Sequence, residues 1–239
     1  MNAAAWHDAE HGSYEADLPL WRELAAAADG PVLDLGAGTG RVAIDLAARG
    51  HEVTALDSDP GLLATLAERA PHVTTVTADA RDFDLKASFA LVIAPMQLLQ
   101  ILGGRPGRAG LLRCAREHLA PGGMFAAAIA DPREAAPADG APGTATPPLP
   151  DMLERDGWVF SSQPVSVTEQ NGCVVVTRRR EAVSPEGERE EDVVEIALDV
   201  VSAEELEGEA REAGFTQFER RAIAETPDHI GSQVVACRP

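Results

Sequence analysis

The glycine-rich segment Gly36–Gly40 (GAGTG) constrains the fold of this chain more than any other feature of its sequence. It follows the apolar run Pro31–Leu35, which predicts a buried strand, and precedes Arg41–Arg49, a helical pattern that ends before Gly50. Glycines at alternate positions allow the backbone to turn sharply and to lie close to a ligand. The following helix leaves its first backbone N–H groups without intrahelical partners. This order predicts a ligand site on an α/β sheet.

The region 31–131 continues the alternation of strand and helix patterns. Predicted strands follow at Glu52–Leu56, Val73–Thr77, Phe89–Ala94 and Met124–Ala130, and predicted helices at Pro60–Ala70 and Arg108–Leu119. The strand Phe89–Ala94 is almost wholly apolar, as a central parallel strand is. The rhythm predicts a doubly wound, mostly parallel α/β sheet.

The alternation stops after Asp131. Residues 132–150 are rich in Pro, Ala and Gly without periodicity and predict a linker. Three strand patterns follow, at Trp158–Glu169, Cys173–Ala182 and Asp192–Val201, with Asn171-Gly172 as a type I′ hairpin signal. They predict an antiparallel insertion. A helix with a capping box, Ser202–Ala213, and two strands, Gln217–Ala222 and Gln233–Cys237, then complete the α/β core.

Composition excludes several partners. The chain has 239 residues, with 20 Lys and Arg against 39 Asp and Glu, and a net charge of −19. Such acidity argues against nucleic acid and against anionic membrane surfaces, which both select basic residues. Its three cysteines are far apart in sequence, which fits a reducing compartment. Without a signal-peptide pattern or a membrane-spanning run, we expect a soluble cytoplasmic protein.

Two ligand classes compete for the glycine loop. A dinucleotide motif needs GxGxxG, and its third glycine would fall at Arg41. Asp34, two residues before the first glycine, suits a ligand with a cationic amino group and would repel a pyrophosphate. Asp57 ends the next predicted strand, where a carboxylate can accept both ribose hydroxyls. An NAD-dependent oxidoreductase therefore remains the less favoured alternative.

Several motifs in order resemble those of class I S-adenosylmethionine-dependent methyltransferases. The glycine loop with Asp57 is similar to motif I and the acidic loop that follows it. Three later segments are similar to the family's next motifs: Val76–Phe83 (VTADARDF), Phe89–Gln97 (FALVIAPMQ) and Leu111–Ala130 with its Pro-Gly-Gly. The resemblance implies a Rossmann-like, seven-stranded sheet and S-adenosyl-L-methionine as the cofactor.

The resemblance also implies roles for individual residues. The glycines would approach the methionine part of the cofactor, Asp34 would help to hold its ammonium group through water, and Asp57 would bind the ribose. Asp79 and Ala80 would bracket the adenine, and the carbonyl of Ala94 would face the ammonium group. The full set implied for the cofactor is Asp34, Gly36, Ala37, Gly38, Gly40, Asp57, Ser58, Asp79, Ala80 and Ala94, with Tyr14 added from the N-terminal segment.

The acceptor is less constrained. The segment 94–97 (Ala-Pro-Met-Gln) lacks the motifs with which related enzymes methylate DNA bases, and Asp131 has no evident partner for a metal site, so we expect no metal. The layout resembles bacterial N-methyltransferases that act on amino sugars or amino termini of natural products. It comprises an N-terminal helical cap (1–30), a cofactor-binding core (31–131), a linker and β insertion (132–201) and a completing segment (202–239). The insertion is interpreted as a substrate lid or a homodimerisation surface.

The predicted activity is methyl transfer to a nitrogen or oxygen atom of a small molecule by in-line displacement. Candidate catalytic groups are His229 in the loop between the last two strands, Tyr14 in the cap and Gln97 after the fourth strand, and the cap also carries His7 and His11. Methylation of a natural-product hydroxyl, and a cofactor-binding module without activity, remain alternatives. No function is expected of His51, His72 and His118, which are placed in loops or on an outer helix face.

Overall fold

The computed structural model describes residues 3–134, 149–226 and 229–239. The chain divides into two compact units. The α/β unit comprises Glu15–Ala130 and Val201–Pro239, and the insertion unit comprises Met1–Tyr14 and Asp131–Val200. Most of the predicted linker 132–150 lies outside the described residues.

A seven-stranded sheet forms the α/β unit. Its strands are β1 Val32–Leu35, β2 Val53–Asp57, β3 Thr74–Thr77, β4 Phe89–Ala94, β5 Leu119–Ile129, β10 Gln217–Ile223 and β11 Ser232–Arg238. Their order is β10-β11-β5-β4-β1-β2-β3, and β11 runs antiparallel to the other six strands. The predicted doubly wound, mostly parallel seven-stranded sheet is confirmed.

Helices of the α/β unit connect these strands. They are α2 Leu18–Ala27, α3 Arg41–Ala48, α4 Pro60–Arg69, α5 Gly104–Glu117 and α6 Ala203–Glu212, while α1 Ala3–His11 belongs to the insertion unit. The predicted capping box is confirmed, since the Ser202 hydroxyl accepts a hydrogen bond from the backbone N–H of Glu205 and the Glu205 carboxylate accepts one from the N–H of Ser202. No helix among the described residues has the length and apolarity to cross a bilayer.

Helix α5 departs from the sequence prediction. It begins at Gly104, four positions before the predicted Arg108, and Pro106 lies in its first turn. Proline is tolerated there because the first N–H groups of a helix have no intrahelical partner. The Pro-Gly-Gly segment that was expected to separate this helix from the next strand instead lies within β5, at a register shift between the Phe89–Leu119 and Leu91–Met124 pairs.

The core of the α/β unit is mostly aliphatic. Buried side chains of β1, β4 and β5 pack with those of α5 and α6, and Phe125 lies 6.0 Å from Phe215 between ring centroids. His118 is also buried, so the expectation that it lies on an outer helix face was wrong. Its Nε2 accepts a hydrogen bond from the N–H of Leu85 at 2.9 Å, and its Nδ1 lies 2.7 Å from the carbonyl oxygen of Cys114. The ring therefore ties the end of α5 to the segment before β4.

An antiparallel sheet of four strands forms most of the insertion unit. The strands, in sheet order, are β6 Asp151–Arg155, β7 Trp158–Gln170, β8 Cys173–Val183 and β9 Arg189–Asp199. The first was not predicted, because its residues show no apolar alternation. The β7–β8 turn has positive φ at both Asn171 (52°) and Gly172 (82°), as the predicted type I′ turn requires.

Helix α1 packs on one face of this sheet. Trp6 meets Phe160 edge to face with ring centroids 5.1 Å apart. The Glu10 carboxylate accepts hydrogen bonds from both Nε and Nη2 of Arg180 at 2.7 Å and from the Ser162 hydroxyl at 2.6 Å. Arg178 also faces Glu10, with Nε 3.5 Å from Oε1.

Two arginines of β8 pair with acidic residues of other elements. Arg178 and Arg180 both face Glu10 of α1, and Arg178 also pairs with Asp151 of β6. Burial alone would raise the pKa of Glu10, but the hydrogen bonds from Arg180 and Ser162 lower it below its ordinary value.

Candidate active site

The candidate site lies along one edge of the seven-stranded sheet. Strands β1 to β4 are mutually parallel, so their carboxyl ends meet at the same edge. The glycine loop follows β1, Asp57 ends β2, Asp79 follows β3 and Gln97 follows β4. The fold therefore brings the predicted groups of the α/β unit to the edge at which ligands bind in open α/β sheets.

The glycine loop adopts a backbone that side chains disfavour. Gly36, Gly38 and Gly40 have φ of 66°, 57° and 95°. A Cβ at Gly36 would lie 2.9 Å from the Leu98 side chain, and one at Gly40 would lie 2.6 Å from that of Leu66. Packing within the unit thus requires glycine at these two positions, independently of their predicted contact with a cofactor.

Asp57 connects the glycine loop to the start of α4. Its Oδ2 accepts a hydrogen bond from the N–H of Gly38 at 2.8 Å, and its Oδ1 accepts one from the N–H of Asp59 at 2.9 Å. Each oxygen of a carboxylate can accept a further hydrogen bond. The carboxylate is therefore held in place with acceptor capacity remaining, which suits the ribose role proposed for it.

Asp34 is buried in strand β1. Asp34 is 1% exposed, and its Oδ1 has no hydrogen-bond partner. Burial raises the pKa of this carboxyl to about 7, an effect opposed by the charge of Arg41 and by a backbone hydrogen bond from Ala43, and reinforced by the charges of Asp17 and Asp57. An isolated buried carboxylate is costly, so the group needs either a proton or a cationic partner.

A buried ion pair beside Asp34 was not predicted from the sequence. Asp17 is 0% exposed and accepts two hydrogen bonds from Arg41, at 2.6 and 2.8 Å, and one from the indole N–H of Trp21 at 2.8 Å. In sequence, Arg41 stood out only because it replaces a glycine of the dinucleotide motif. Nothing in the spacing of residues 17 and 41 indicates that they meet, since the contact depends on how α2 packs on α3.

The predicted adenine site carries an ion pair. Asp79 accepts hydrogen bonds from the backbone N–H of Arg81 at 2.8 Å and from its Nε and Nη2 at 2.9 and 2.6 Å. These bonds lower the pKa of Asp79, whose side chain is 45% exposed. Ala80 and Ala94 are buried and Ser58 is exposed. Their predicted cofactor contacts stay proposals.

Gln100, which was not among the predicted site residues, links the segment after β4 to the end of β5. Gln97 itself is half-buried before the short 3-10 helix Leu98–Ile101. Within that helix, Gln100 is buried, donates from Nε2 to the carbonyl of Ala130 at 2.9 Å and accepts from its N–H at 3.0 Å. Because Ala130 follows the last residue of β5, the Gln100 amide takes the place of a strand partner there.

The other candidate catalytic groups lie in different units. His229 is half-buried in the α/β unit, where its backbone N–H donates to the hydroxyl of Thr226 at 3.1 Å. Tyr14 is buried and belongs to the insertion unit, as do His7 and His11, whose rings are 5.0 Å apart. The catalytic roles of these residues stay predictions.

A metal site has no support in the described part of the chain. Asp131, which was considered as a ligand, accepts hydrogen bonds from Arg133, with Nε–Oδ1 at 2.8 Å. The described residues contain no group of three His, Cys, Asp or Glu side chains placed to hold a metal ion.

Comparisons with known proteins agree with this geometry. Residues 32–123 match the model of a methyltransferase domain family. The chain is 32% identical over 137 residues to a cypemycin N-terminal methyltransferase from a Streptomyces species, and the match covers 56% of each protein. It spans about half the length of that relative.

Solved structures are similar over nearly the whole chain. The CcbJ methyltransferase from Streptomyces caelestis is 26% identical with a TM-score of 0.68, over 95% of this chain and 97% of that one. The S-adenosylmethionine-bound CalS10, an amino pentose methyltransferase from Micromonospora echinaspora, shares the fold at 24% identity and a TM-score of 0.66, over 98% and 92%.

The match over residues 32–123 shows that this part of the chain is a methyltransferase domain. The glycine loop and the sheet order agree with the class I methyltransferase motifs that the sequence resembles. The resemblance inferred from the sequence motifs is confirmed.

Proposed function

We propose that this chain transfers a methyl group from S-adenosylmethionine to the nitrogen of an amine on a small natural product. The observation that carries the proposal is that the chain with this site is similar to proteins that are named for amine acceptors. One is an N-terminal methyltransferase and another an amino pentose methyltransferase. The net charge of −19 also favours a neutral or cationic acceptor over an anionic one.

The residues of the α/β unit hold the cofactor in this proposal. Asp57, fixed by the N–H groups of Gly38 and Asp59, accepts the ribose hydroxyls. Asp34 faces the ammonium group, and the glycine loop leaves room for the methionine part. When bound, S-adenosylmethionine supplies a methyl group on a sulfonium centre, which needs no further activation. The protein's task is then to align the acceptor in line with that bond and to exclude water.

The chemistry of the acceptor decides whether a base is needed. An amine must arrive neutral and can release its proton after transfer, whereas a hydroxyl needs a general base during it. His229 is the candidate base within the α/β unit, and Gln97 is a candidate hydrogen-bond partner for a polar group of the acceptor. Tyr14 is proposed to contact cofactor or acceptor from the N-terminal cap.

The insertion unit is proposed to cover the acceptor or to join two copies of the chain. Its strand β9 forms one edge of the four-stranded sheet and is 11 residues long. An exposed edge strand offers unpaired backbone groups to a second strand. Size-exclusion chromatography with light scattering tests whether two copies of the chain form a homodimer, as pairing through this edge requires.

Two measurements test the proposed function. Calorimetric titration with S-adenosylhomocysteine and, separately, with NAD establishes the cofactor, and binding of NAD alone would overturn the proposal. Incubation with S-adenosylmethionine and a matched panel of amines and phenols, followed by mass spectrometry, then tests the acceptor. We expect a mass gain on amines. Methylation confined to phenols would establish O-methylation, and binding without any transfer would favour a cofactor-binding module.

A further inference from the structure

Three acidic residues and one basic residue surround the inner end of the candidate cofactor site. Asp34 lies on β1, Arg41 opens α3, Asp17 directly precedes α2, and Asp57 ends β2. These are the charged groups that act on Asp34 from the elements packed around it. Carboxylates outnumber guanidinium groups by three to one, so the arrangement has an excess of negative charge.

The guanidinium group of Arg41 does not neutralise Asp34 by direct contact. Two of its nitrogens donate to the two oxygens of Asp17 in a bidentate pair. Asp17 also receives the indole N–H of Trp21, so that this carboxylate is well satisfied. A bidentate pair of this kind is the strongest arrangement open to an arginine, and it directs Arg41 to Asp17.

Asp34 is consequently left as a buried carboxyl group with an unpartnered oxygen. Burial raises its pKa to about 7, as described above. Near neutral pH, the cofactor-free protein then holds a proton on Asp34 in a substantial fraction of molecules. A ligand that brings a positive charge to the free oxygen favours the ionised form.

We propose that the binding of the cofactor is coupled to the release of one proton from Asp34. The inference rests on the proposed function, because the ammonium group of the cofactor's methionine part is the cation that replaces the proton. The O–H bond of the Asp34 carboxyl breaks, the proton passes to solvent, and the carboxylate that remains faces the ammonium group. No other reactant is required.

The affinity for the cofactor is expected to depend on pH. The ionised form of Asp34 binds the cofactor, so affinity falls as the pH is lowered through the pKa of the cofactor-free protein. A binding-competent form that is only partly populated weakens the apparent affinity by that fraction. For a group that titrates near pH 7, the Kd is expected to rise about fivefold between pH 7 and pH 6.

Calorimetry in matched buffers tests the coupling. S-adenosylhomocysteine is titrated into the full chain at pH 6.5 in phosphate, MES and imidazole, whose ionisation enthalpies differ. The slope of the observed enthalpy against the ionisation enthalpy gives the protons released, and we expect about 0.8 per cofactor. The amino group of the ligand stays protonated at this pH, because α-amino groups titrate higher.

Two variants assign the proton. Asp34→Asn is nearly isosteric and cannot ionise, so it should bind more weakly than the wild type at pH 7 or above, and the slope for the binding that remains should fall to zero. Asp17→Asn removes a neighbouring negative charge and releases Arg41 toward Asp34. It should therefore move the pH at which proton release occurs to lower values. Circular dichroism of each variant shows whether it has folded before it is titrated.

The outcomes separate this inference from the function on which it rests. A cofactor that does not bind at any pH contradicts the proposed function. Binding of the wild-type chain with no proton release overturns the coupling alone, even where neither variant can be purified. Proton release that persists unchanged in Asp34→Asn also overturns it, because another group would then supply the proton.

Discussion

Each unit of the molecule buries a cluster of carboxylates and guanidinium groups, and the two clusters are built differently. In the insertion unit, the Glu10 carboxylate faces Arg178 and Arg180 and accepts hydrogen bonds from Arg180 and Ser162, and Arg178 also pairs with Asp151. In the α/β unit, Arg41 is bound by Asp17, and Asp34 keeps an unpartnered oxygen. The pKa of Glu10 is lowered, whereas that of Asp34 is raised to about 7.

This difference separates a structural network from a binding site. A buried polar network stabilises a fold when each member is satisfied, and an incomplete one is costly. The Glu10 carboxylate is satisfied by Arg180 and Ser162, so it needs no ligand. The α/β cluster keeps an unpaired group at the sheet edge where cofactors bind, and perturbed groups of this kind concentrate at functional sites. Variants at Glu10, Asp34, Asp57 and Gln100 test this contrast, in order of decreasing effect.

Removal of Glu10 should produce the largest loss of stability. Glu10→Ala leaves Arg178 and Arg180 partly buried without their shared partner, and breaking such a pair costs about 3–5 kcal/mol. Chemical denaturation followed by circular dichroism measures the free energy of unfolding. Glu195→Ala, at an exposed position of β9, is the matched control and should change it little. Equal effects of the two variants would refute a structural role for the Glu10 network.

Asp34 should destabilise the cofactor-free chain as the pH rises. Its folded-state pKa of about 7 exceeds the ordinary 3.8, so the folded chain binds more protons than the unfolded chain between these values. Stability is lost as the pH rises through this window, by about 2–4 kcal/mol. Asp34→Asn removes the effect, and its advantage over the wild type should grow from pH 5 to pH 8. An advantage that does not vary with pH would contradict the assignment.

Asp57 should contribute to cofactor affinity. Asp57→Ala removes the acceptor proposed for the ribose hydroxyls and the partner of the Gly38 and Asp59 N–H groups, and affinity should weaken by about 1–3 kcal/mol. Titration with S-adenosylhomocysteine measures the change. Asp84→Ala, which removes an exposed carboxylate paired with Lys86, should leave affinity unchanged. If Asp57→Ala binds as tightly as the wild type, the ribose assignment is wrong.

Gln100 should show the smallest effect, since the buried group is neutral. Gln100→Leu keeps the volume of the side chain but leaves the N–H and carbonyl of Ala130 without this partner, at a cost of about 1–2 kcal/mol in unfolding free energy. Gln97→Leu, at a half-buried position three residues earlier, serves as the comparison. A larger loss for Gln97→Leu than for Gln100→Leu would reverse the assignment of the two glutamines.

Local patterns explain what the sequence predicted well. The glycine loop, the apolar strand β4 and the capping box at Ser202 depend on residues close in the chain, and the structure has each where it was expected. The short strand β6 was missed because its residues, DMLER, show no apolar period, and its pairing with β7 defines it. The start of α5 was missed because Gly103-Gly104 precedes Pro106 and resembles a turn.

Other features of the site could not be predicted from the sequence because they depend on tertiary contacts. Asp34 and Asp57 were selected from their spacing around the glycine loop. The state of Asp34, however, depends on Arg41 being bound to Asp17, a residue that lies in another element of the fold. An acidic chain offers many carboxylates with which Arg41 could pair, so the general preference of arginine for acids does not identify Asp17 as its partner.

The attachment of α1 to the insertion sheet bears on how this chain can be recombined with its relatives. Trp6 and Glu10 find their partners at Phe160, Ser162 and Arg180, about 150 or more positions away in sequence. A chimera that exchanges only residues 131–200 would pair a native helix with a foreign sheet. The exchangeable module is therefore discontinuous, and residues 3–14 must travel with it.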